Sequence, residues 1–246
     1  MQATHDSVHN ATSQDEPQSE PEPTRIQRTQ KPRTLPVAEL EYHLFVPDKA
    51  YDPLLESAYE VWRDVWQQTL EELDGATQVH SDEFLRQSEV GVLAVRGRCI
   101  AVTGLRWLDL SLARAREDSY FQHWPKDAMA ALGHRVVGVA SNTAVHPEWR
   151  GALIEPPRGQ PGEPSRLAFT TIALSVRRVV ASWADSLIAL TRNDRSIDRV
   201  AAALGATRLG QIQVHGIATD VICIERRNAV PESTIVKDLW GRRHQP

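Results

Sequence analysis

Two apolar runs, Val90–Arg96 and Cys99–Trp107, follow one another with only Gly97 and Arg98 between them. Two residues leave no room for a crossover, so the chain must double back there as a β-hairpin with a tight turn. A third strand-like run, Arg135–Val145 (RVVGVASNTAV), stops at His146-Pro147, where proline ends the ladder. An antiparallel sheet therefore occupies the middle of the chain, and every other segment has to pack on it or extend it.

The flanking segments supply both kinds of element. Leu40–Val46 (LEYHLFV) alternates apolar and polar residues before Pro47 and reads as a strand. Leu54, Leu55, Ala58, Val61, Trp62, Val65, Trp66, Leu70 and Leu73 recur at three- and four-residue steps, one buried stripe on a helix of about 54–73. Residues 108–133 read as irregular or short-helical, with an aromatic-dense stretch at Ser119–Pro125 (SYFQHWP). The four prolines and two glycines of 152–165 mark a loop. Ser165 is placed to cap a helix over about 166–183 bearing Phe169, Ile172, Val176, Val180 and Trp183. Ser186–Thr191 is a short strand and Asp194–Leu204 a helix ended by Gly205. Arg208–Val214 and Asp220–Glu225 form a last hairpin about His215-Gly216. This order, without internal repeats, indicates an α/β (α+β) fold: one domain with a central mixed, mostly antiparallel sheet flanked by helices.

The ends read differently. Residues 1–36 contain no Phe, Trp or Tyr and five prolines, too little apolar surface to offset chain entropy, so a disordered tail is expected before a folded domain at 37–228. Residues 229–246 are expected to be a C-terminal extension. Apolar runs fall well short of the ~18–20 residues of a membrane span, and residues 1–10 lack a secretory pattern, so a cytoplasmic protein is expected. With 28 basic and 32 acidic residues, spread along the chain, nucleic acid is not an expected partner. Cys99 and Cys223 sit in apolar runs and read as core thiols. No phosphate-loop, serine-hydrolase or zinc-protease motif occurs, and His80 with Asp82 and Glu83 reads as a solvated loop, so no metal is expected.

At Thr143–Gly151 the sequence is TAVHPEWRG, which resembles the V-x-P-x-x-R-G pattern that ends the central strand of the GNAT acetyltransferase superfamily. The element order over about 40–226 is similar to that fold. Asn193–Gly205 (NDRSIDRVAAALG) resembles the family's asparagine-containing segment before a terminal helix. The surroundings of VASNTAV look closest to the branch of N-acyl amino acid synthases and acyl-homoserine lactone synthases. The resemblance implies a GNAT-like acyltransferase. Its donor would be acyl-CoA or an acyl-phosphopantetheine on an acyl carrier protein, and its acceptor a small-molecule amine such as an amino acid. Asn142, Thr143, Ala144 and Val145 would wall the pantetheine groove. Arg150, Gly151, Arg158 and Arg166 would gather around phosphate near the following helix start. The family's glycine-rich turn is missing here. The long proline-stiffened loop suits the single phosphate of a carrier-protein arm better than a compact CoA diphosphate.

Acyl transfer to an amine needs a base for the ammonium proton, a donor for the oxyanion and an acid for the thiolate. The branch places a glutamate in an E-x-S-R-like run on the central strand. Here the run is V-A-S-N, with Val139 at the glutamate position and Asn142 at the arginine position. The tyrosine many acetyltransferases carry is also missing, since Ala201–Ala203 occupy that turn. Three accounts stand. Glu89, or His134, supplies the base, Glu89 and Asn142 being the candidate catalytic residues. An already neutral amine is merely positioned, with a backbone N–H near Thr143 or Ala144 polarising the thioester. Or the protein is a catalytically silent accessory or sensor that binds acyl carrier protein or an acyl ligand. The acyl chain would be bordered by the 54–73 helix and the Ser119–Pro125 aromatics.

Overall fold

The computed structural model describes residues 32–47, 51–76, 78–230 and 232–245. The chain runs β1 (Thr34–Pro36), β2 (Leu40–Phe45), α1 (Pro53–Asp74), α2 (Asp82–Leu85), β3 (Glu89–Val95), β4 (Arg98–Asp109), α3 (Ala113–Arg116), α4 (Lys126–Leu132) and β5 (Val136–Val145). It continues through β6 (Leu153–Glu155), β7 (Ser165–Arg166), α5 (Leu167–Val180), β8 (Ser186–Arg192), α6 (Ile197–Ala203), β9 (Thr207–Val214), β10 (Ile217–Glu225) and α7 (Thr234–Gly241). Seven strands form one sheet in the order β2-β3-β4-β5-β8-β10-β9, antiparallel throughout except between β5 and β8.

The central hairpin turns one residue earlier than its sequence suggests. Arg96 and Gly97 both take positive φ, 51° and 71°, and Arg98 pairs with Val95 as the first residue of β4. Two consecutive positive φ values give the turn whose twist matches that of the strands it joins. His215 and Gly216 repeat the arrangement between β9 and β10, where it was expected.

Helices cover the sheet according to their apolar stripes. Asp52 Oδ1 accepts from the N–H groups of Leu54 and Leu55, Pro53 occupies the first turn, and Gly75 ends α1 at φ 69°. The α1 stripe buries Leu54, Leu55, Ala58, Val61, Trp62 and Val65 over β3 and β4, where Trp62 packs against Tyr59 and Phe84. On the same face, Phe121 and Trp124 close over Val137, Val139, Ile188 and Val221. The Ser119–Pro125 aromatics are thus core against β5, β8 and β10. The opposite face carries α5 and α7 over Leu40, Tyr42, Leu93 and Ile224. Both cysteines are buried, and burial pushes the Cys99 thiol up to about 12.

Several boundaries differ from the sequence expectation. α5 starts after Arg166, not under a Ser165 cap; the Ser165 hydroxyl instead accepts from Thr170. It ends at Val180, leaving Trp183 63% exposed despite its helical spacing. The 152–165 segment is a hairpin stem at its ends, since Leu153 and Ile154 pair with Arg166 and Ser165. β6 also pairs in parallel with β1, burying Leu35, so residues 34–36 of the expected tail belong to the fold; residues 1–31 of that tail lie outside the described ones. Residues 232–245 are not an appendage. Ile235, Val236, Leu239 and Trp240 are buried in the main core, and Arg242 donates to the carbonyls of Leu40 and Val37. From Pro32 onward the fold is one unit.

Candidate active site

The central strand breaks its own regularity where the sequence motif begins. Ala144 faces Val102 and Ser141 faces Gly104, so Asn142 and Thr143 together oppose the single residue Thr103. This is a β-bulge, with Asn142 at φ 56° and its side-chain amide donating to the Glu83 carbonyl at 3.2 Å. Thr143 turns toward α5. Its hydroxyl lies 3.0 Å from that of Thr103, which is 3.4 Å from the Ser175 hydroxyl.

The same strand then parts from its parallel neighbour. β5 pairs with β8 at Val137–Val139 against Ser186–Ile188, while both strands continue, to Val145 and to Arg192. The His146 N–H donates to the Ile100 carbonyl and the Leu110 N–H to that of Arg135, which fixes the alternation on each side of the bulge. Ala144 therefore spends its backbone groups on β4. Val145 directs its N–H and C=O, and Ala140 its C=O, into the widening gap. Backbone groups so placed await a partner with amide spacing. Of the two N–H groups expected to polarise a thioester, the one on Ala144 is spent on β4.

The motif residues after Val145 form the rim. Pro147–Trp149 make a 3₁₀ turn that Arg150 closes through its N–H to the Pro147 carbonyl. Gly151 takes φ 82° there, which an L side chain adopts only with strain. Arg166 is the residue immediately before α5, so it stands at the positive end of a fourteen-residue helix. Arg150, Arg158 and Arg166 are exposed and make no ion pair among the described residues.

Glu89 lies elsewhere. It faces Leu105, which faces Ala140, so two strand spacings of about 4.8 Å each separate it from β5. Both its oxygens accept from Arg178 of α5, at 2.6 and 2.7 Å. With Leu44, Phe45, Val46 and Gln245 it lines a cavity of about 160 Å³ at the β2 edge. His134 is exposed before β5, at the end of that strand opposite the bulge. Val139 is fully buried among Phe121, Ile188 and Val221, on the face away from α5.

Two polar groups escaped the sequence reading. Asp220 is buried in β10 and accepts from Asn193 Nδ2 at 3.2 Å and Gln211 Nε2 at 2.9 Å. An acid inside the apolar run DVICIE was its signal. Tyr42 is fully buried with no hydrogen-bond partner for its hydroxyl among the described residues, and burial raises its phenol well above the usual range. Gly91 makes room for it, since a Cβ there would stand 2.9 Å from the tyrosine oxygen.

The seven-stranded sheet, with its bulged central strand parting from a parallel neighbour over a helix start, is a GNAT-like fold. Among solved structures, that of BjaI, described as a CoA-dependent acyl-homoserine lactone synthase with SAM and isopentyl-CoA, superposes with a TM-score of 0.54 at 13% identity. The match covers 84% of this chain and 93% of that one. BjaI with MTA gives the same score at 12% identity, covering 84% and 93%. FeeM, an N-acyl amino acid synthase from uncultured soil microbes, reaches 0.49 at 8% identity, covering 83% and 94%. No protein-family model and no curated protein sequence matches the chain. At these identities the likeness to BjaI establishes the fold.

Proposed function

We propose that this protein is an acyltransferase that moves an acyl group from a phosphopantetheine thioester, on acyl carrier protein or CoA, to the amine of a small acceptor such as an amino acid. The observation that carries this reading is the gap between β5 and β8, opening beside the Asn142–Thr143 bulge with the Val145 and Ala140 backbone groups directed into it. The pantetheine amides pair with those groups as a short extra strand would. The donor's phosphate lies at the α5 N-terminus, with Arg166 beside it and Arg150 and Arg158 on the rim. The thioester carbonyl then rests against the bulge.

The acceptor nitrogen attacks the carbonyl carbon, the C–S bond breaks, and the proton lost by the amine balances the one the thiolate gains. Glu89, held by Arg178 and two strands away, positions α5 against β3 in this reading. The amine arrives neutral, and the Thr143 bulge supplies the polarising contact. BjaI is described with SAM, which places S-adenosylmethionine among the acceptors worth offering.

A second reading is favoured by one specific observation: Val139 is buried where the branch keeps its glutamate, and the nearest expected substitute is engaged by a guanidinium. In that reading the protein binds acyl carrier protein or an acyl ligand without turnover. The test is incubation with acyl-carrier proteins, acyl-CoA thioesters, mixed amino acids and S-adenosylmethionine, followed by mass spectrometry of protein and small molecules. An acylated amine establishes the enzyme and names donor and acceptor together. A stable complex with loaded carrier and no product across the panel establishes the silent binder.

A further inference from the structure

The C-terminal segment meets the first strand of the main sheet at its β2 edge. Glu41 and His43 alternate with the buried Leu40, Tyr42 and Leu44, so both side chains leave the strand on the face opposite Tyr42. β2 is an edge strand, and the C-terminal segment lies along it: the His244 N–H donates to the Tyr42 carbonyl at 2.9 Å, and the Leu44 N–H to the His244 carbonyl at 3.0 Å. That parallel bridge sets His244 directly beside His43. The two imidazoles stack with centroids 4.5 Å apart, and His43 Nε2 lies 3.1 Å from Glu41 Oε2.

One donor atom from each of Glu41, His43 and His244 falls within 4.8 Å of the others. Two imidazole nitrogens and one carboxylate oxygen are a recurring donor set for Zn²⁺, at bond lengths of about 2.0–2.2 Å. Tetrahedral bonds of that length put neighbouring donors about 3.3–3.5 Å apart. At 3.1 Å the His43–Glu41 pair lies slightly inside this spacing, and a small side-chain rotation opens it to the tetrahedral distance. His244 is exposed, and rotation of its side chain supplies the remaining approach.

We propose that Glu41, His43 and His244 form a binding site for a divalent transition cation of the Zn²⁺ type, three protein ligands with water completing the sphere. The site clips the C-terminal segment to β2, the edge strand of the main sheet. The consequence reaches further along the edge. Gln245, the next residue, shares the small cavity beside Leu44, Phe45, Val46 and Glu89. Cation occupancy orders that wall.

The test uses the full chain, stripped with chelator and titrated with Zn²⁺ by calorimetry, with Co²⁺ as a spectroscopic stand-in. The expected result is one Zn²⁺ per chain, a visible Co²⁺ band of low-coordinate type and a rise in Tm with added Zn²⁺. His244→Gln and His43→Gln are each expected to weaken binding by roughly tenfold or more, and to abolish the Tm rise. His244 is exposed, so its variant is expected to keep the metal-free Tm of the parent. The proposal is overturned if Zn²⁺ binds equally well to His244→Gln and His43→Gln, which would assign the cation to other histidines. Absence of both heat and a Co²⁺ band at millimolar cation overturns it too.

Discussion

Arg178 grips Glu89 with two parallel hydrogen bonds, Nε to Oε2 and Nη2 to Oε1, while its guanidinium lies 5.0 Å over the ring of Trp107. One side chain of α5 thus fastens both β3 and β4 to the helix whose N-terminus forms the rim of the β5–β8 gap. The pair is about one-fifth exposed on each side, so neither charge is freely hydrated. A planar guanidinium suits this double task, and lysine would not.

Removing one partner is therefore expected to cost more than a surface ion pair does. Arg178→Met strands a carboxylate and is expected to lower stability by about 2–3 kcal/mol, with Glu89→Gln at about 1–2 kcal/mol. A double-mutant cycle in urea should return a coupling on the order of 1 kcal/mol or more. If Glu89 only positions α5, Glu89→Gln keeps most of its acyl-transfer rate under conditions where it is folded; a loss of several orders of magnitude would identify it as the base instead.

Gly138 sits where β5 still pairs with β8 and α5 crosses. A Cβ added there would stand 2.8 Å from Trp107 Cζ3 and 2.8 Å from Val179 Cγ2, both packed in the core. Gly138→Ala is expected to destabilise by about 1–3 kcal/mol through overpacking, read from the urea midpoint. Trp107→Leu should relieve part of that cost, and equal penalties in both backgrounds would show that the contact is not the cause.

Arg106 and Asp118 give the fold a measurable acid sensitivity. Their side chains meet through two hydrogen bonds at 2.9 and 3.1 Å, with only 12% and 21% exposure. Burial raises the Asp118 carboxyl, but the Arg106 hydrogen bonds, the Tyr120 N–H and the Arg106 charge outweigh it and hold it below the usual carboxylate range. A carboxyl depressed in the folded state contributes stability that is complete above its unfolded value of about 3.9 and is lost as pH falls through the folded value. Asp118→Asn is expected to lower stability at pH 6 and to flatten the decline below about pH 4. Parallel curves for parent and variant down to acid unfolding would remove Asp118 from the account.

Local pattern made the centre of this fold legible, and distance along the chain hid much of the rest. The three middle strands, the α1 stripe and the His215-Gly216 turn follow from apolar runs, three- and four-residue spacing, and glycine chemistry. The motif at Val145 marked the strand end beside which β5 parts from β8. What failed were contacts that join remote residues: Leu35 beside Ile154, Arg178 on Glu89, His244 beside His43. Trp183 failed differently, because its spacing continues the α5 stripe one turn after the helix has ended at Val180. The buried positions of α7, Ile235, Val236, Leu239 and Trp240, keep helical spacing and were a readable signal that the last segment belongs to the core.

Asn142 separates the bulge from the side chain that occupies it. Its positive φ is tolerated by asparagine and glycine and costs a β-branched residue about 1–2 kcal/mol. Its amide makes one hydrogen bond, to the Glu83 carbonyl. Asn142→Gly keeps the backbone conformation and loses only that bond, whereas Asn142→Val presses the strand toward a regular ladder. Regular pairing would shift the register above the bulge by one residue and turn the Val145 backbone groups out of the gap. Acyl transfer is therefore expected to stay within a few-fold of the parent in Asn142→Gly and to fall roughly tenfold or more in Asn142→Val, a loss of about 1.4 kcal/mol in transition-state stabilisation. Equal losses in the two variants would assign the effect to the asparagine amide, and equal retention would place the acyl group away from the bulge.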